Sequence, residues 1–110
     1  MSISDRYRDL AEEVRIYTSV QKKKTVEDAA DADKAALKSL KKADTVLAEL
    51  KEGVGEIPRI RLEDELTPVL MKAHNHLDRS RLDYLEAEDE KTAAEVWALQ
   101  QTIYRLLNDL

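Results

Sequence analysis

Residues 92–110, Thr-Ala-Ala-Glu-Val-Trp-Ala-Leu-Gln-Gln-Thr-Ile-Tyr-Arg-Leu-Leu-Asn-Asp-Leu, restrict the fold more than any other stretch of the chain. At about 100° per residue, Ala93, Val96, Trp97, Leu99, Ile103, Tyr104, Leu106, Leu107 and Leu110 occupy about half of a helix circumference. Glu95, Ala98, Gln101, Thr102, Arg105, Asn108 and Asp109 occupy the rest. An apolar arc that wide exceeds what one partner helix can cover, so the segment belongs inside a bundle. Thr92-x-x-Glu95 reads as the capping box that begins it.

The remainder of the chain is helical in pattern as well. Ser2-x-x-Asp5 marks a start, and Ile3, Tyr7, Leu10, Val14 and Tyr17 follow at heptad spacing. The stripe turns polar at Gln21, Lys24, Asp28 and Asp31, then resumes in a rotated phase as Ala36, Leu40, Ala43, Leu47 and Leu50. Either the helix breaks near Lys24-Thr25, with Thr25-x-x-Asp28 as a new cap, or it continues through a stutter. Gly53-Val-Gly-Glu-Ile-Pro58 is the strongest interruption. Thr67-Pro68 has the form of an N-cap followed by proline at the first helical position, with Leu66 and Met71 spaced as a hydrophobic staple. The helix beyond it carries Leu66, Val69, Leu70, Ala73, Leu77 and Tyr84 on one face. The expected organisation is therefore a single domain, 1–110, of two helical halves, 4–52 and 67–110, joined by a connector at 53–66. The fold class is all-α with coiled-coil-like packing: an antiparallel helical hairpin or an up-down four-helix bundle.

Composition narrows the function classes. Phe is absent, so the core must be aliphatic and alanine-rich, which suits closely packed helices better than a wide cofactor pocket. With no Cys there is no disulfide, thiolate nucleophile or Cys-based metal site, in keeping with a reducing compartment. No apolar run reaches the roughly 18 residues of a membrane span, and the N-terminus lacks a signal-peptide pattern, so a cytoplasmic chain without membrane contact is expected. Residues 1–52 are electrically balanced, and the whole net charge of −5 falls in residues 53–110. An acidic chain of this kind is not expected to bind nucleic acid as its main partner.

If the chain doubles back at 53–58, residue i lies opposite roughly residue 112 − i. Lys22, Lys23 and Lys24 then face Glu90, Asp89 and Glu88, and Asp31 faces Arg81. In a four-helix version the two interhelical turns share one end, and the same groups meet again. Lys24, Asp31, Arg81, Glu88 and Gln100 are thus expected to form a polar layer that sets register. Exposed pairs of this kind contribute only about 0–1 kcal/mol each.

Few residues suggest chemistry. His74 and His76 point to different helix faces and cannot chelate together, although His74 and Asp78 share a face at i, i+4. There is no Glu-x-x-His pair, no glycine-rich phosphate loop and no Ser-His-acid arrangement. No catalytic residue, metal site, cofactor or small-molecule substrate is inferred. His76-Leu-Asp-Arg-Ser80 resembles the pattern around the phosphorylated histidine of histidine phosphotransfer domains. It differs in having Arg79 for Lys, Ser80 for Gly and Asp78 at an apolar position. That five-residue resemblance implies a four-helix bundle carrying a phosphoryl group on His76. Ile57, Arg59, Ile60, Arg61 and Leu62, apolar and basic side chains in the connector, are the candidate partner-binding residues, the alternative being that they fold down over the bundle end.

The expected function is a non-catalytic protein-interaction or assembly subunit that pairs with a protein partner or with itself. The alternatives are a histidine phosphotransfer-like module centred on His76 and an accessory nucleic-acid-contacting protein using Lys22–Lys24, Arg59 and Arg61.

Overall fold

A computed structural model describes residues 1–110. Four helices follow in order: α1 (Ile3–Lys24), α2 (Asp31–Lys51), α3 (Arg59–Glu86) and α4 (Glu90–Asn108), with one turn of 3-10 helix at Val54–Glu56 between α2 and α3. They pack in a ring, α1 on α2, α2 on α3, α3 on α4 and α4 back on α1, forming an up-down four-helix bundle rather than a long hairpin. The heptad stripe of α1 is buried as Tyr7, Leu10 and Val14, and α2 contributes Ala36, Leu40, Ala43 and Leu47 to the same core. Of the C-terminal arc, Ala93, Val96, Leu99, Ile103 and Leu106 are buried, whereas Trp97 and Tyr104 stand at its edges with about two-fifths of their surface exposed (43% and 41%). The arc of α4 is wider than the seams that α1 and α3 offer it.

The α2–α3 contact is the most extensive in the bundle. Ala36, Ser39 and Ala43 of α2 and Ala73 and Ser80 of α3 are all buried, and side chains this small let two helices approach closely. Ser80 satisfies its buried hydroxyl by donating to the Ala36 carbonyl at 2.9 Å. α1 is attached by fewer but specific contacts. The Tyr7 hydroxyl donates to the Leu47 carbonyl at 2.6 Å, and Glu12 receives both Arg15 of its own helix and Lys51 of α2. Those two hydrogen bonds bring the Glu12 carboxyl down to about 2.

Helix ends account for most departures from sequence expectation. The chain does break after Lys24, but Thr25 closes α1, its hydroxyl donating to the Gln21 carbonyl at 2.7 Å, and α2 starts only at Asp31. Asp89 caps α4 by accepting from the Thr92 amide, so Thr92 lies inside the helix. The connector is shorter than 53–66, because α3 begins at Arg59 and runs straight through Pro68. Leu62, Leu66, Val69, Leu70 and Ala73 keep helical spacing across the proline and all pack into or against the core. That burial offsets the one hydrogen bond proline cannot make, and both Pro68 and Asp64, whose carbonyl loses its donor, face water. The Leu66–Met71 staple does not form, since Met71 is exposed.

The α3–α4 turn is a Schellman motif without its usual glycine. The Asp89 amide donates to the Tyr84 carbonyl and the Glu88 amide to that of Leu85, with Glu88 at φ 63°. A side chain in the left-handed region is strained. Glu88→Gly is expected to raise stability by about 0.5–1 kcal/mol, read as a higher urea midpoint at unchanged m-value. An unchanged or lower midpoint would show that the Glu88 side chain contributes something the glycine removes.

Candidate functional site

The register expected from the fold-back is observed along α1 and α4. Tyr17 donates to Glu95 at 3.0 Å, as the relation requires, and Arg6 pairs with Asp109 at 2.7 Å, offset by less than one turn. The polar layer, in contrast, does not assemble as a set of ion pairs. Lys24 shares a groove with Asp89 at the end of the bundle, but Lys24, Asp31 and Glu88 are exposed and none belongs to an ion pair. Long side chains in full contact with water gain too little from pairing to hold one geometry.

Two members of that layer do come together, through a residue not assigned to it. Gln100, wholly buried, donates through Nε2 to Asp78 at 3.1 Å and lies 3.2 Å from His74 Nε2. Arg81 donates to the same Asp78 carboxylate at 2.9 Å and lies over the Trp97 ring, 5.4 Å from its centre. His74 in turn packs on Tyr104, with ring centres 4.6 Å apart. Burial works to raise the Asp78 carboxyl, but hydrogen bonds from Arg81 and Gln100 outweigh it and hold the group below its ordinary value. His74 Nδ1 and Gln100 Oε1 are buried without partners. This cluster ties α3 to α4. No group of three or more His, Asp or Glu side chains converges in metal-binding geometry.

The connector residues divide. Ile57 and Leu62 pack against the core and close the bundle end, while Arg59, Ile60 and Arg61 project outward, with Ile60 88% exposed and Arg61 paired with Glu65. Ile57, Arg59, Ile60 and Leu62 all border one depression of about 490 Å³ beside Ile3 and Leu110. Ile57 and Leu62 thus fold down over the bundle end, and Arg59, Ile60 and Arg61 do not.

A different apolar surface lies between α1 and α4, which touch least of the four neighbouring helix pairs. Tyr17 bridges to Glu95 there, and the groove of about 470 Å³ around it is lined by Ile16, Val20, Ala98 and Leu99. Ile16 is 50% exposed and Val20 40%. Glu13 and Lys24 flank the apolar stretch at its two ends. No known protein family matches this sequence, and no curated protein or solved structure matches it. The chemistry of its surfaces must supply the functional reading.

Along α1 the exposed stripe runs Glu13, Ile16, Val20, Lys23 and Lys24, spaced by three or four residues and so on one face. Its order is acid, apolar, apolar, base. Laid antiparallel against its own copy about a two-fold axis near Thr18, the stripe puts Ile16 against Val20 and Glu13 against Lys23 or Lys24, each contact occurring twice. The sequence alone did not single out Ile16 or Val20, because they fall between the heptad positions that form the core.

Proposed function

We propose that this chain is a non-catalytic assembly subunit that pairs with a second copy of itself through the α1–α4 face. The observation that carries the reading is the self-complementary stripe on α1, whose apolar centre is exposed in the least closed seam of the bundle. Burying Ile16, Val20 and Ala98 removes apolar surface from water, and the flanking charges select the antiparallel register over the parallel one. Two exposed aliphatic side chains per copy are a small anchor against the entropy lost on association, so a dissociation constant in the micromolar range is expected.

Sedimentation equilibrium over a concentration series tests it. The wild type should move from monomer to dimer, and Ile16→Glu should remain monomeric while keeping its helical circular dichroism. Glu13→Lys should weaken pairing, and Glu13→Lys combined with Lys23→Glu and Lys24→Glu should restore it. A wild type that stays monomeric at millimolar concentration, or a charge swap that fails to rescue, sinks the proposal.

A further inference from the structure

The face opposite the α1–α4 groove is made by α2 and α3, and its charge is the reverse of the chain's. A shallow groove of about 470 Å³ is lined there by Lys38, Lys41 and Lys42 of α2 and by Lys72 and His76 of α3. Glu49 is its single carboxylate, and Thr45 and Val46 complete the α2 side. The chain has 23 acidic residues, yet none of these four lysines belongs to any of its ion pairs. Lys38 lies three and four residues from Lys41 and Lys42, an arrangement in which like charges repel along one helix face. The packing of α3 then adds Lys72 across the groove. Four of the chain's nine unpaired lysines thus share one groove with a single carboxylate.

We infer that this groove binds a compact anion carrying several phosphates. The lining residues decide among anions. Lysine acts as a mobile point charge, well suited to phosphate, and no arginine is present to grip a carboxylate in the two-pronged manner of a guanidinium. Val46 is the groove's only apolar side chain, so a partner helix would find no anchor for its own apolar face. There is no Phe, Tyr or Trp on which a nucleobase could stack, which argues against single-stranded nucleic acid. What the groove offers is charge from two helices, with the His76 imidazole as an additional hydrogen-bonding group. Spacing a phosphate chain or cluster between α2 and α3 satisfies several ammonium groups at once, as a single phosphate cannot.

His76 is placed to report occupancy. The charged groups around it are Lys38, Lys41, Lys42 and Glu49 from α2 and Lys72 from its own helix. Partial burial, together with the charges of Lys42 and Lys72, holds its imidazole below the ordinary value. An anion among these lysines reverses the local potential and should raise it. The histidine accepts no group in this reading.

The test uses the whole chain, titrated with inorganic tripolyphosphate and followed by calorimetry and amide NMR. Shifts should concentrate in residues 38–49 and 72–76, the His76 imidazole should titrate at higher pH when ligand is bound, and tripolyphosphate should bind at least about tenfold more tightly than orthophosphate. Inositol hexakisphosphate, run in parallel, separates a phosphate cluster from a linear chain, and tighter binding of either supports the shared chemistry. Lys42→Gln with Lys72→Gln should weaken binding by about tenfold or more, while Lys22→Gln with Lys23→Gln should leave it unchanged. All four lysines are exposed, so both variants should fold, and circular dichroism checks this. Shifts scattered over the molecule, equal loss in both variants, or equal affinity for a glutamate oligomer of matched charge would overturn the assignment. Because the groove lies away from α1 and α4, failure here leaves the self-pairing reading standing, and the reverse holds.

Discussion

Raising the pH from 10 to 12 is expected to unfold the bundle. Tyr7 and Tyr84 are buried and Tyr17 is largely so, and in each case loss of water around the phenol is the main reason its ionisation is resisted. Nearby carboxylates add to this: Glu49 for Tyr7, Glu95 for Tyr17, Asp33 and Asp89 for Tyr84. Tyr84 is pushed up to about 12, and Tyr7 and Tyr17 further still. The unfolded chain ionises each phenol near its ordinary value of 10.0. A folded value above the unfolded one contributes stability that is complete below pH 10 and disappears as pH rises through the folded value. Each resistant phenol steepens the loss by up to about 1.4 kcal/mol per pH unit, so three together could remove about 4 kcal/mol per unit. A domain whose total stability is about 5–15 kcal/mol cannot absorb that for long. Urea titrations at a series of pH values should show the midpoint collapsing above pH 10, with the tyrosinate absorbance of Tyr7, Tyr17 and Tyr84 rising only as the fold is lost. Tyr7→Phe should flatten the slope at the expense of the hydrogen bond to the Leu47 carbonyl, about 1 kcal/mol. Full tyrosinate absorbance in a still-folded protein near pH 10 would contradict the burial on which the expectation rests.

Leu77→Ala should be strongly destabilising. Leu77 sits midway along the core stretch of α3, has no exposed surface, and belongs to the cluster shared by all four helices. Removing three carbons there loses their transfer free energy and leaves a void that α2 and α4, held by the Ser80 bond and the Asp78–Gln100 bond, cannot simply close. A loss of about 3 kcal/mol is expected, lowering the melting temperature by about 10–20 °C. Leu82→Ala, five residues on and half exposed, provides the comparison and should change stability by no more than about 0.5 kcal/mol. Similar losses at the two positions would mean that the α3 core face has been wrongly placed.

The helices themselves were legible wherever apolar residues kept helical spacing. The stripe through Tyr7, Leu10 and Val14 and the arc through Val96, Leu99, Ile103 and Leu106 both correspond to buried faces. The glycines at 53 and 55 marked the central turn, and the fold-back relation placed Tyr17 opposite Glu95. Ends were less legible, because they depend on single side chains with competing roles. Pro68 carries the signature of a helix start but stands inside one, since tertiary burial of Leu62 and Leu66 outweighs a local preference. Glu88 carries no signature of a helix stop, since the αL position is normally betrayed by glycine.

Sites were legible only to the extent that they lie on one helix. The acid-apolar-apolar-base order of α1 is in the sequence, but its meaning depends on knowing that α4 leaves that face uncovered. Lys38, Lys41 and Lys42 likewise show their spacing, whereas Lys72 and His76 join them only because α3 turns one particular flank toward α2. The Asp78–Gln100–Arg81 cluster has the same difficulty: the sequence points to Arg81 and Gln100 as members of a polar layer, but the carboxylate between them lies on the flank of α3 that meets α4. Pairings across helices depend on rotation about each axis, and a charged residue leaves that rotation open.

The uneven packing of the four helices has a dynamic corollary. α2 and α3 interlock along alanines and serines, while α1 rests on its neighbours through less extensive contacts and is joined to α2 by a six-residue loop, 25–30. Partial opening should therefore begin with α1 peeling from a three-helix remnant, and the amides of α1 should exchange with solvent well before those of α2 and α3. A helix that can leave its own bundle can also enter a neighbour's, so the loop at 25–30 is the hinge about which two chains could trade their first helices.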